Sequence, residues 1–318
     1  MTSAQTRILT VTLNPALDLS ARIPHMEAGP KLRLTEPDWE PGGGGVNVAR
    51  AIHALGGDVL AWVALGGGSG EQHLRLLHAQ GLATHVFDAP CDTRQSWAIT
   101  DDSGQQYRLQ LPGGVWPEAV VDDARASIVA QAKGLVVISG SQPPEMDAGF
   151  VQTLTRELDT ARLIVDTSGP ALTQLIERPL PHARPLVLRL DQAEAEALAG
   201  RRLTDATDTT TFARQLVRRG VAEHVCLARG ADGSVLASEG WVVHCCPPKV
   251  EVQSKVGAGD SFTGAFTLAL ARGEGFSEAL RLGTAAAAAA VMTAGTQLCR
   301  KEDVTQLRAA CILRQMGA

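Results

Sequence analysis

The chain has 318 residues, 45% hydrophobic and only 4% aromatic, so Val, Leu, Ile and Ala must build the core. That length supports one large α/β domain or two small ones. The formal net charge of −5 argues against a general nucleic-acid binder, and an anionic substrate would need a local basic pocket.

The opening residues lack the long apolar core of a secretion signal, and no run reaches the length of a membrane span. None of the six cysteines forms a CxxC pair, so free thiols in a reducing cytoplasm are expected. The segment Ile8–Leu13 is short and β-branched and predicts a strand, closed by Asn14-Pro15. Asp18 follows as a loop acid just past a strand end, where α/β sheets bind ligands; a solvated turn acid is the alternative. Lys31 and Arg33 alternate with Leu32 and Leu34, which predicts a strand with both cations on one face. Such a pair can read a phosphate or merely face solvent.

Gly42 and Gly43 open a run of four glycines before a helix predicted over Val46–Leu55. Side-chain-free backbone is tolerated where it must touch something. Asn47, on the first turn, suits a polyol because its amide donates and accepts; it also suits a plain cap. A strand over Asp58–Gly67 and a loop with a helix follow. The Gly-rich loop there lacks the spacing of a dinucleotide fingerprint. Residues 91–114 read as a hairpin around a DSG turn, with Arg94 at its start. With residues 17–39, this hairpin predicts a small extra sheet covering a site.

Continuous apolar strands then alternate with helices: Leu135–Ser141, Arg162–Gly169, Pro185–Leu190 and His224–Gly230. That rhythm predicts a mainly parallel sheet covered on both faces. A second hairpin is expected at SVLAS and WVVHCC, and the stretch from Gly259 to Met316 is expected to be largely helical.

The densest cluster is VGAGDSFTGAF, Val256–Phe266. Gly257, Ala258 and Gly259 lead into a helix whose free amides can cradle an anion. Asp260 lies on the first turn. A carboxylate there repels a phosphate unless it has a task, such as receiving a proton from an attacking hydroxyl. An ordinary first-turn acid is the alternative. The helix terminus is expected to lower its basicity.

Together, PGGGGVNVARAIHALGG, Thr93–Gln95, QYRLQLPG, VISGSQPP, IVDTSG and VGAGDSFTGAF resemble the phosphofructokinase B branch of the ribokinase-like sugar kinases. The resemblance runs from about Ile8 to Cys299. It implies a three-layer α/β/α fold over residues 1–318 with a β lid from about 17–39 and 91–112, and a homodimer joined through the lids. It implies transfer of the ATP γ-phosphoryl to a phosphorylated ketohexose, with fructose 6-phosphate first and fructose 1-phosphate or tagatose 6-phosphate as alternatives. It places Asp18, Lys31, Arg33, Gly42, Gly43, Asn47, Arg94 and Ser141 at the sugar phosphate. It makes Asp260 the base and Gly257–Gly259 the anion hole, and sets Arg189, Ala228, Gly230 and Gly233 around the nucleotide. Glu194 and Asp191 would face Mg²⁺ through water, and K⁺ is a further candidate cation. The family usually carries Lys-Pro-Asn-x-x-Glu where this chain has Arg189-Leu190-Asp191-Gln192-Ala193-Glu194. These departures on the nucleotide side leave a second reading, a catalytically weak sugar-phosphate sensor. A nicotinamide oxidoreductase is a third, without its fingerprint.

Overall fold

The computed structural model describes residues 5–293 and 295–317. The ends of the expected domain, and part of the segment read as lacking a secretion signal, lie outside that range.

In chain order the elements are β1 (Ile8–Thr12), β2 (Ala16–Ile23), β3 (Asp38–Gly42), α1 (Gly44–Ala54), β4 (Leu60–Leu65), α2 (Gly67–Ala79) and β5 (Thr84–Asp88). Then come β6 (Arg94–Asp101), β7 (Gln106–Gln110), α3 (Glu118–Gln131), β8 (Leu135–Ser139), α4 (Phe150–Glu157), β9 (Arg162–Asp166) and α5 (Gly169–Glu177). The chain continues through β10 (Val187–Leu190), α6 (Gln192–Ala199), α7 (Ala206–Arg218), β11 (His224–Ala228), β12 (Ser234–Ser238) and β13 (Trp241–Cys246). It closes with α8 (Ala258–Ala271), α9 (Phe276–Ala290), α10 (Lys301–Ala310) and β14 (Ile312–Met316).

The main sheet runs β14-β13-β12-β11-β10-β9-β8-β1-β4-β5. The strands from β11 to β5 are parallel, and β12, β13 and β14 add antiparallel pairs at one end. Successive strand residues face opposite sides, so each strand feeds two cores. Ile8, Val137 and Ile164 pack with α1, α8 and α9, while Leu9, Val136 and Val165 pack with α3, α4, α5 and α7. This is the three-layer α/β/α arrangement expected. The alanine-rich α9 lies so close to α8 that a Cβ on Gly283 would sit 3.0 Å from the Phe262 ring.

A second, four-stranded sheet has the order β3-β2-β6-β7. Its strands come from the two segments read as a covering sheet. Three details differ from expectation. Lys31 and Arg33 lie exposed in an irregular segment, because the β2–β3 pairing uses Ala16–Ser20 and Asp38–Gly42 and leaves residues 24–37 as a connection. Asp18 is inside β2, not in a loop. The stretch from Gly259 to Met316 is largely helical as expected, but it closes with a strand, since β14 pairs along β13 from Cys246↔Ile312 to Val242↔Met316. Among the described residues, no helix is long and apolar enough to cross a membrane.

Candidate active site

The glycine run is packed against the carboxyl ends of two central strands. A Cβ on Gly45 would stand 2.4 Å from the Val11 carbonyl of β1, and one on Gly44 would stand 2.5 Å from Ser139 Oγ of β8. Gly43, at φ 114°, turns the chain into α1. So close contact, not only φ freedom, demands glycine here. The result seats the α1 N-terminus at the strand ends where such sheets bind ligands.

Asn47, one turn into α1, donates from Nδ2 to Asp260 Oδ2 at 3.0 Å. Two helix starts thus meet, α1 with its glycines and α8 with its own. Gly257 caps α8 at φ 75°. Asp260 is half-buried, and its pKa is pushed up to about 7. Burial is the main cause, followed by the charge of Asp166; the Asn47 hydrogen bond and Arg189 pull the other way. The helix terminus therefore does not make Asp260 a weak base, as expected from sequence. Desolvation and a neighbouring carboxylate outweigh it.

On the sugar side, Asp18 packs under Gly42 so tightly that a Cβ there would overlap its carboxylate, at 2.1 Å from Oδ2. Glu40 lies opposite Asp18 on β3. The Asp18 pKa rises to about 6, through burial first, while Arg94 opposes the rise. Arg94, at the start of β6, donates from Nε to the Asn14 carbonyl at 3.3 Å and from Nη1 to that of Leu111 at 3.2 Å. Asn14 Nδ2 reaches Ser141 Oγ at 3.3 Å. Asp18, Gly42, Gly43, Asn47, Arg94, Ser141 and Asp260 are thus linked by contacts or charge. Among the described residues, no hydrogen bond or ion pair ties Lys31 or Arg33 to them.

On the other side, Arg189 Nη1 donates to Asp166 Oδ1 at 3.1 Å, and both side chains are largely buried. Burial opposes the Arg189 charge, but Asp166 and Glu194 more than offset it and raise the pKa. The guanidinium also lies over the α8 start, where a Cβ on Gly259 would be 2.9 Å from Nη1. Its buried Nε has no partner. Asp191 caps α6, accepting from the Glu194 amide at 2.8 Å, and Glu194 returns a bond to the Asp191 amide at 2.9 Å. This reciprocal capping box gives both residues a structural task besides the one the resemblance implies. One oxygen of each remains outside that exchange. Gly230 and Gly233 both take positive φ in the turn after β11, beside Ala228. A Cβ on Gly233 would overlap the Cys245 carbonyl at 1.9 Å.

Four partners escaped the sequence reading. Asp166 ends β9, accepts from Thr263 Oγ1 at 2.8 Å and holds Arg189. Its position at a strand end was the available signal. Arg108 on β7 acts on the Asp18 charge. Arg229 is buried behind the Gly230 turn and donates to the carbonyls of Leu203 and Thr204. His73 of α2 bonds the Gly42 carbonyl at 3.0 Å and, with its pKa lowered to about 4 chiefly by burial, stays neutral.

Two Gly-rich helix starts meeting at the strand ends, with a half-buried carboxylate whose pKa is raised to about 7 between them, suit phosphoryl transfer to a small molecule. The chain belongs to the pfkB family of carbohydrate kinases, whose model matches residues 14–303. It is 36% identical to the ATP-dependent 6-phosphofructokinase isozyme 2 of Escherichia coli (strain K12), over 95% of this chain and 98% of that one. It is 33% identical to the 1-phosphofructokinase of Haloferax volcanii, over 93% and 95%. The phosphofructokinase-2 of Escherichia coli in complex with fructose-6-phosphate superposes with a TM-score of 0.87 at 34% identity, covering 96% of this chain and 99% of that one. Other structures of that protein contain potassium or show a tetrameric inhibited form.

Proposed function

We propose that this kinase transfers the γ-phosphoryl of ATP to a hydroxyl of fructose 6-phosphate, giving fructose 1,6-bisphosphate and ADP. The observation that carries the reading is the Asn47–Asp260 hydrogen bond, with Asp18 and Arg94 on one side and Arg189 on the other. The sugar oxygen forms a bond to the γ-phosphorus as the bond to the bridging oxygen of ADP breaks. Asp260 takes the hydroxyl proton, and a base that titrates near 7 is matched to that task. The transition state is loose, so positioning and charge stabilisation dominate. Arg94 is the phosphate partner on the sugar, and Asp18 binds sugar hydroxyls. Lys31 and Arg33 would have to swing in with the connection that carries them.

Magnesium bound with ATP neutralises charge on the transferring phosphates. Among the described residues no group of three or more acidic, His or Cys ligands could cage a metal. That fits an ion held mostly by phosphates and water. Glu194 and Asp191 each keep one oxygen outside the capping box, and burial together with the charges of Asp191 and Asp166 raises the Glu194 pKa. Such an acid excess suits a cation's water shell. The six cysteines are free, in keeping with a cytoplasmic enzyme. Leu109 and Leu111, each more than half exposed, and Val115 form an apolar stretch on and after β7 that a second copy of the chain would cover.

The test is a panel of fructose 6-phosphate, fructose 1-phosphate and tagatose 6-phosphate with MgATP, scored by kcat/KM. The likeness to 1-phosphofructokinases keeps fructose 1-phosphate as the specific rival. Higher kcat/KM on it would replace the substrate assignment. No turnover on any of them would favour the sensor. Asp260→Asn should lower kcat ~10²–10⁴-fold with little change in sugar-phosphate binding.

A further inference from the structure

Asn47 is held from both sides. Its Nδ2 faces Asp260, and its Oδ1 accepts from Arg50 Nη1 at 3.1 Å. A guanidinium only donates, so Arg50 can face only the oxygen of the amide, and the NH₂ is left for the carboxylate. The i to i+3 spacing puts both residues on one face of α1. Arg50 makes three further contacts. Nη1 reaches the Pro41 carbonyl at 3.3 Å, Nη2 reaches Glu40 Oε1 at 3.3 Å and Nε reaches Gln80 Oε1 at 2.9 Å. Glu40 also accepts from Thr296 Oγ1 and stands in register with Asp18 across the second sheet.

We propose that Arg50 is a positioning residue of phosphoryl transfer: it fixes the Asn47 amide against Asp260 and, through Glu40, ties that geometry to the sheet carrying Asp18. The proposal rests on the kinase reading above. The chain Glu40–Arg50–Asn47–Asp260 joins the neighbouring elements β3 and α1 to α8, which lies more than 200 residues further along the chain. Asp260 is faced by Asp18 from β2, Asn47 from α1, Asp166 from β9 and Arg189 from β10. Of these groups, Asn47 is the one Arg50 bonds. A shift of the second sheet would move Glu40, then Arg50, then the amide that orients the base. A cavity of about 240 Å³ adjoins Arg50, walled also by His53, Gln80, Leu82 and Leu298. It offers a route for a small cation to replace a deleted guanidinium.

The experiment compares the full-length enzyme with Arg50→Ala, Arg50→Lys, Glu40→Gln, Asn47→Ala and the double variant Arg50→Ala/Asn47→Ala. We expect Arg50→Ala to lose about ten- to a hundredfold in kcat, as for partners that orient a reacting group, with the ATP KM changed by less than about twofold. Millimolar guanidinium should restore part of that loss without affecting the parent enzyme. Arg50→Lys should recover only part, because a point charge cannot span Glu40 and Asn47 together. The double variant should be no slower than Asn47→Ala, since both act through one contact. If Arg50→Ala fails to fold, the near-isosteric Glu40→Gln carries the test with an expected severalfold fall in kcat. Normal kcat in Arg50→Ala or Glu40→Gln, or losses that multiply in the double variant, would overturn the proposal and leave the kinase reading intact. A parent enzyme without kinase activity would overturn both.

Discussion

Asp260 titrates high enough for its ionisation to be read in stability. Its pKa is about 7 in the folded chain against an ordinary 3.8. A carboxyl raised on folding favours the folded state when protonated, so its contribution is largest below the unfolded pKa and is lost as pH rises through the folded one. Between pH 5 and pH 7 the unfolded chain carries Asp260 ionised while the folded chain carries it mostly protonated. Stability then falls by up to ~1.4 kcal/mol per pH unit, the slope easing as pH nears the folded pKa, or ~2 kcal/mol over the interval. Asp260→Asn removes the titration and keeps a hydrogen-bonding amide. The variant should gain on the parent by ~2.5 kcal/mol between pH 5 and pH 7.5, a relative rise in Tm of roughly 3–4 °C for a chain of 318 residues. Thermal melts of both proteins without ligands, in constant ionic strength, measure it directly. The parent should also show kcat rising with pH to a plateau above about 7, since the base must be ionised. A Tm difference that stays the same at both pH values would refute the burial argument, and with it the matched base.

Three further outcomes follow from the same contacts. Arg94→Ala should raise the sugar-phosphate KM by about ten- to a hundredfold, the worth of a charge-assisted phosphate contact, with the ATP KM unchanged; an unchanged sugar KM places Arg94 outside the site. Gly44→Ala should unfold or severely destabilise the chain, because its Cβ would be 2.6 Å from the Gly140 backbone nitrogen, whereas Gly68→Ala meets nothing within 4 Å and should stabilise α2 by ~0.5–1 kcal/mol in urea unfolding. Asp191→Ala should cost ~0.5–2 kcal/mol of stability through the lost cap, also by urea unfolding, separately from any change in the magnesium dependence of kcat.

The layered architecture was legible because buried parallel strands leave an apolar run that few other elements produce. The second sheet was legible from its turn. Two strands at the sheet edges were not. β5 follows α2 with the weak pattern THVFD, and β14 follows α10 after a single residue. Lys31 and Arg33 show the limit of period-two alternation: the pattern was there, but no partner strand came alongside. Asp260 and Asn47 were singled out separately, yet only the fold put them 3.0 Å apart across 213 residues of chain. The basicity of Asp260 was read with the wrong sign, since a helix terminus is local and visible while burial and Asp166 are not. Arg189 is the instructive departure. In sequence it reads as a bulky substitute for lysine; in the fold Asp166 holds it.

That ion pair leads to a last prediction, about what the α8 start binds. If bare amides of Gly257–Gly259 alone hold the transferring phosphate, Arg189 is scaffolding. If Arg189 shares the anion, its unpaired buried Nε and its position over Gly259 are the reason. Gly259→Ala distinguishes these, since the added Cβ would lie 2.9–3.2 Å from the end of the Arg189 side chain, which must move away from the turn. Helix α8 keeps its backbone, because Gly259 is not among the glycines at positive φ. With Arg189 engaged, Gly259→Ala should lower kcat by about tenfold or more, the loss of one stabilising donor at the reacting phosphoryl. Arg189→Lys should then suppress the effect of Gly259→Ala, because a slimmer ammonium fits beside the methyl group. Equal losses from Gly259→Ala in both backgrounds, measured by kcat at saturating ATP, would return the anion to the amides alone.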